Sequence, residues 1–140
     1  MTPSGSVLDV EVHHVRLALH VLAACIWVGG QITLAGLVPV LRPFGPEATR
    51  GAARRFNVLA WGAFAVLVVT GVWNLVEVDV GDASSEYLAT LFVKLGAVAV
   101  SGVGAAIHIV GRSKGALAAG GAMSSLGGLV ALFLGVVLHG

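Results

Sequence analysis

The sequence predicts an all-α integral membrane protein: a four-helix bundle with both chain ends on the extracytoplasmic side. Composition, four long apolar runs and an uneven distribution of charge lead to this prediction. Of 140 residues, 57% are hydrophobic and 11% are charged, whereas a soluble domain has about 25% charged residues. Because so short a chain cannot bury that much apolar surface within itself, most of the surface must face lipid.

Four apolar runs define the predicted spans, at about 15–41, 57–78, 88–110 and 122–139. Each run is about as long as a helix must be to cross a bilayer, roughly 18 residues or more. The segments between them are rich in Gly, Pro and Ser, which favour turns. We therefore expect a single transmembrane domain covering residues 1–140.

Charge gives the expected orientation. Six of the eight Lys and Arg residues lie between spans one and two or between spans three and four: Arg42, Arg50, Arg54, Arg55, Arg112 and Lys114. Six of the seven acids lie on the other side: Asp9, Glu11, Glu77, Asp79, Asp82 and Glu86. Basic residues of short loops stay in the cytoplasm, so both ends are expected to face outward from a multi-pass protein of the cytoplasmic membrane.

Polar side chains form one stripe along each predicted helix, because positions seven apart nearly coincide at 100° per residue. The stripes contain His13, His20, Trp27 and Gln31 in span one, Asn74 and Glu77 in span two, Lys94 and Ser101 in span three, and Ser124 and His139 in span four. If all four stripes face inward, the bundle has polar groups at its centre and apolar side chains toward lipid.

His20 is the sharpest functional candidate, because an ionisable group inside a membrane usually serves a function. Three roles are open to it. It binds a metal ion or haem iron, it carries protons, or it only forms a hydrogen bond between helices. His13 and His14 at the mouth of the bundle are candidates for collecting metal, and His139 is a candidate second ligand. Lys94 either binds an anionic group or extends its ammonium group toward the interface.

Several enzyme motifs are absent from the sequence: HExxH, CxxC, the P-loop and GxSxG. These absences disfavour an enzyme without deciding the question, and the haem oxidoreductase considered below stays open. The net charge of only +1 gives no reason to expect a nucleic-acid partner.

Three segments resemble the copper resistance D (CopD) domain family, in the same order. LHVLAACIWVGG (residues 19–30) resembles its first-helix motif, in which Leu-His precedes Trp-Val-Gly-Gly. The family's second segment is similar to residues 52–75, which contain the Thr70-Gly71 pair. Its third segment is similar to residues 87–108, which contain Phe92-Val93-Lys94-Leu95. The resemblance covers about residues 13–110 and implies copper transport across the membrane.

Under this leading hypothesis, copper binds at His20 and is supplied through His13 and His14, with His139 as a further ligand. Imidazole nitrogen suits copper in either oxidation state. Asn74, Glu77 and Trp27 are the expected supporting side chains.

The pair His20 and Lys94 also resembles the functional His and Lys of the HemJ-type protoporphyrinogen oxidase family, which implies haem b. In this second hypothesis His20 and His139 are axial ligands and Lys94 holds a propionate. A third hypothesis is a non-catalytic membrane subunit whose polar stripes only fasten the helices together. The sequence leaves open the choice among these three, and whether the chain, embedded in lipid, forms a homodimer or joins a larger complex.

Overall fold

The protein consists of four long helices, seen in a computed structural model that describes residues 11–79 and 81–139. The described ranges contain no strand, so the all-α prediction is confirmed. The helices are α1 (Val12–Phe44), α2 (Pro46–Val76), α3 (Ser85–Val110) and α4 (Lys114–Val137), and each is long and apolar enough to cross a membrane. Asp9, one of the acids used for the predicted orientation, lies outside the described residues.

Two helices begin earlier than the apolar runs that predicted them. α2 begins at Pro46 rather than near residue 57, and α4 begins at Lys114 rather than near residue 122. Hydropathy detects only the part of a helix that lies in lipid, and these first turns are polar or rich in Ala and Gly. The basic residues Arg50, Arg54 and Arg55 therefore lie on α2 rather than in a loop.

Local sequence explains where the helices begin. Glu11 and His14 form a capping box at the start of α1. Ser84 and Ser113 accept hydrogen bonds from the backbone amides two to three residues into α3 and α4, each at 3.1 Å. Gly45 takes a φ of +95° between α1 and α2, which only glycine adopts readily, and Pro46 follows at the first helical position.

One turn of α1 is a π-helix, Cys25–Gly29, lying between the α-helices Val12–Ala24 and Gly30–Leu41. The consecutive side chains of Trp27 and Val28 are both buried. The Gly29-Gly30 pair does not end the helix. Instead, a methyl group on Gly30 would collide with the ring of Phe56 on α2, so Gly30 allows α1 and α2 to pack closely.

α3 and α4 form the most extensive helix pair, and glycine makes it possible. A Cβ on Gly104 of α3 would lie 2.8 Å from the carbonyl oxygen of Gly120, and a Cβ on Gly127 of α4 would lie 2.8 Å from that of Ala97. The two backbones are therefore in direct contact, as small residues allow in membrane helices.

The core at mid-bundle is aromatic and hydrogen-bonded. Trp27 packs against Phe64 with ring centroids 4.5 Å apart, and both rings contact Trp61. The Trp27 indole donates to Ser101 Oγ at 2.9 Å, and Ser101 in turn donates to the carbonyl oxygen of Ser124 at 2.6 Å. Ser101 is 1% exposed, so this chain of hydrogen bonds ties α1, α3 and α4 together away from lipid.

The outward faces are apolar. Large side chains such as Val58, Val69, Phe92 and Phe133 are exposed on the helix surfaces. Such a surface would be an aggregation hazard in water, whereas lipid is its natural solvent.

We predict that Gly104→Ala lowers the thermal unfolding midpoint in detergent, because the added methyl must push α3 away from α4. Overpacking of this kind costs about 1–3 kcal/mol. Gly96→Ala is the matched control, since a Cβ at Gly96 on the same helix meets nothing within 4 Å. Circular dichroism melting of both variants tests the prediction, and equal midpoints for the two would contradict it.

Candidate functional site

His20 on α1 is hydrogen-bonded to Thr70 on α2, with 2.8 Å between Nδ1 and Oγ1. The Thr70 hydroxyl also lies 2.7 Å from the carbonyl oxygen of Val66, to which it donates its single proton. We infer that Thr70 accepts from His20 and that the imidazole proton lies on Nδ1. His20 Nε2 is left with an unprotonated lone pair, the state that a metal ligand requires.

Lys94 on α3 and His139, which follows the end of α4, lie toward the same end of the bundle as His20. Gly135 on α4 leaves room for Lys94 of α3, because a Cβ there would lie 3.2 Å from Lys94 Nζ. The carbonyl oxygen of the same Gly135 accepts from His139 Nδ1 at 2.8 Å, so the neutral form of His139 has its lone pair on Nε2. The three residues expected to bind haem thus lie toward one end of the bundle, which we call the His20 end.

Arg16 lies one helical turn from His20 and is the buried charge of this region. It is 7% exposed, and its guanidinium lies 3.5 Å from Glu77 Oε1 and 5.5 Å from the centre of the Trp73 ring. Its Nε makes no hydrogen bond to another described residue. The His20 end therefore contains two cationic side chains, Arg16 and Lys94, with Glu77 as the carboxylate paired to Arg16.

His13 and His14 lie at the start of α1, about 10 Å from His20 along the helix at 1.5 Å per residue. Arg16 donates to His13 Nδ1 at 3.0 Å, and the Glu11 amide donates to His14 Nδ1 at 3.2 Å. Both Nδ1 lone pairs are thus engaged, and neutral imidazoles then carry their proton on Nε2. This arrangement separates the two histidines from His20 instead of joining them to one site.

The expected supporting residues Glu77, Asn74 and Trp27 do not all lie near His20. Glu77 pairs with Arg16 and also accepts from the Trp73 indole at 3.3 Å. Asn74 is half-buried on α2, one turn beyond Thr70. Trp27 is buried at mid-bundle and hydrogen-bonded to Ser101, so it belongs to the core.

A preformed metal cage is not part of the described structure. Within residues 11–79 and 81–139, no group of three or more His, Cys, Asp or Glu side chains is placed to hold a metal ion. What the His20 end offers is one imidazole nitrogen held in position by Thr70, a second from His139, and two cations. Such a set suits a ligand that contains a metal centre and carries carboxylates.

The site residues predicted from the sequence did not include Thr70 or Arg16. Both had a usable signal. Thr70 belongs to the Thr70-Gly71 pair of the family resemblance, and a Cβ at Gly71 would lie 3.5 Å from His20 Cε1. Arg16 precedes His20 by four residues, which places both on one helix face. The π-helical turn had no such signal.

We predict that His20 of the wild-type protein is the Nδ1–H tautomer and that Thr70→Val removes this preference, because the variant lacks the accepting oxygen. The ¹⁵N chemical shifts of labelled imidazole report which ring nitrogen is protonated. Thr90→Val is the control, since Thr90 of α3 bonds only to the backbone of its own helix. A protonated Nε2 on wild-type His20 would refute the assignment.

No family model matches the chain, and no curated protein or solved structure is significantly similar to it.

Proposed function

We propose that this chain is a b-type haem protein of the cytoplasmic membrane in which His20 is an axial ligand. The observation that carries the proposal is the Nδ1–H hydrogen bond from His20 to Thr70. It fixes the ring orientation and leaves Nε2 free, as partners of metal-bound histidines characteristically do. A bound haem b supplies a one-electron redox couple, and the side chains around it set its potential.

The cations of the His20 end support this choice of ligand. Haem b carries two carboxylates, and Lys94 and Arg16 are the side chains of matching charge within the bundle. Lys94 is half-buried, and within the described residues it has no ion-pair partner. A charge-assisted hydrogen bond to a propionate would give this ammonium group a partner away from water.

We also propose which end of the bundle faces the cytoplasm. Arg42 lies in the last turn of α1 and Arg112 in the short connection after α3, and the first turns of α2 add Arg50, Arg54 and Arg55. Basic residues at one end of a bundle favour the cytoplasmic side. The His20 end and both chain ends then face outward, and the site lies in the outer half of the membrane.

Copper handling is the second candidate, and one observation favours it. His20 and His139 both donate from Nδ1 to protein oxygens, so both Nε2 lone pairs are available to a copper ion. The positive charges of Lys94 and Arg16 oppose a bare cation in this region, whereas they attract a ligand with carboxylates. The haem proposal therefore comes first.

We predict that the detergent-purified protein has a Soret band that sharpens on dithionite reduction and disappears in His20→Ala. His108→Ala is the matched control, because His108 also donates from Nδ1, to the carbonyl of Leu117 at 2.6 Å, but lies at the opposite end of α3. Visible spectra and elemental analysis of the same samples distinguish the candidates. A colourless protein that contains copper, and loses it in His20→Ala, would favour copper handling. A protein that contains neither haem nor copper would favour a non-catalytic subunit.

We also predict that Lys94→Gln releases haem about tenfold faster than the wild type, because loss of one charge-assisted hydrogen bond costs about 1.5 kcal/mol or more. Transfer of haem to excess apomyoglobin measures the rate. Lys114→Gln, which changes a lysine at the start of α4, should release haem at the wild-type rate. Equal rates for the two variants would remove Lys94 from the site.

A further inference from the structure

A cavity lies toward the opposite end of the bundle from His20. It is a cleft of about 310 Å³ that touches all four helices, within the range of small-molecule sites, roughly 300–1,000 Å³. None of its lining residues carries a fixed charge. Its occupant must therefore be a mostly apolar, uncharged molecule that reaches the cleft from the membrane.

The walls of the cleft are aromatic. Trp27, Phe56 and Trp61 line it, and Trp27 and Trp61 stand edge to face, with ring centroids 5.7 Å apart and planes at 70°. Two aromatic rings at this angle present both a face and an edge, which suits contact with a flat ring.

Three polar groups of the cleft have hydrogen-bonding capacity to spare. Ser124 is 4% exposed, and its Oγ has no hydrogen-bond partner among the described residues. His108 donates its Nδ1 proton to the Leu117 carbonyl, so its Nε2 is an acceptor. Asn57 on α2 contributes an amide to the same lining. By contrast, Gln31 is occupied, since it accepts from Ser125 at 3.1 Å and donates to the Trp27 carbonyl.

A hydroxyl that is buried to this degree without a partner destabilises the fold. The Ser124 hydroxyl therefore provides a donor for a ligand oxygen. A nitrogen acceptor, an amide and aromatic walls surround the same space. The matching molecule has a flat ring with a carbonyl or hydroxyl oxygen and an apolar remainder.

We propose that this cleft binds a membrane-soluble quinone or its quinol. Ring carbonyls accept from Ser124 and Asn57, and a quinol hydroxyl donates to His108 Nε2. The site is separate from that of the proposed haem: Asn57 precedes Thr70 by 13 residues on α2, about 20 Å along the helix. The two proposals rest on different residues and stand or fall separately.

The test is calorimetric titration of the detergent-purified full chain with a decyl-substituted benzoquinone. We expect saturable binding, weakened about tenfold or more by Ala53→Leu, which places a side chain in the cleft. Ala52→Leu is the matched control, because Ala52 is the preceding residue of α2 and does not line the cleft. Ser124→Ala should weaken binding several-fold, whereas His20→Ala should leave it unchanged.

Two results would overturn the proposal. One is that the wild-type protein does not bind the quinone, or binds it without saturation. The same conclusion follows if Ala53→Leu and Ala52→Leu bind the quinone equally well while both keep wild-type helicity and unfolding midpoint. The other is equal affinity for decylbenzene, which has the ring and the chain but no oxygen, since the cleft would then select only for apolar shape.

Discussion

A polar group inside a bilayer has no water to bind, so every polar side chain of this bundle must find a partner within the protein or in a ligand. Most do. Trp27, Ser101 and the Ser124 carbonyl form one connected series across three helices, and Gln31 joins α1 to Ser125 of α4. These pairs fasten the helices and use up their own hydrogen-bonding capacity.

The groups that lack a partner are therefore informative. At the His20 end they are the Nε2 lone pair of His20 and the Nε of Arg16; at the other end the prominent one is the Ser124 hydroxyl. A bundle built only for stability would have little reason to retain such groups, because an apolar residue of similar size costs less to bury. Their positions at two separate ends are the reason for assigning two separate ligands.

Close backbone contact is what gives these side chains their fixed positions. Gly104 and Gly127 let α3 and α4 touch, and the gap at Gly135 accommodates the Lys94 ammonium group. With those two helices joined, α1 and α2 form the other wall of the bundle, where His20 meets Thr70. Substitutions that separate the helices should disturb the sites even without touching a ligand.

Much of this could be predicted from sequence. The length and hydropathy of the apolar runs were sufficient to predict four helices, because a helix that crosses lipid requires a long apolar run. The seven-residue spacing predicted that His20 and Trp27 share a face, but it did not predict the π-helical turn Cys25–Gly29 that contains Trp27. Hydropathy did not locate the helix starts at Pro46 and Lys114, because polar turns outside the lipid have no apolar signal.

Pairings between helices were also beyond the sequence. The tautomer of His20 depends on where the Thr70 proton goes, and this requires the distance between α1 and α2. The hydrogen bond from Arg16 to His13 is likewise a contact that spacing alone does not specify. The cleft lined by Asn57 and Ser124 exists only when all four helices are assembled.

The central claim is that the His20 imidazole itself binds the haem iron, and chemical rescue tests it most directly. His20→Gly removes the ring and leaves a space beside Gly71 into which free imidazole can bind. The account predicts that the purified variant lacks the Soret band and regains it when imidazole is present during haem loading. A variant that shows the wild-type band without imidazole would contradict the claim, because another residue would then hold the iron.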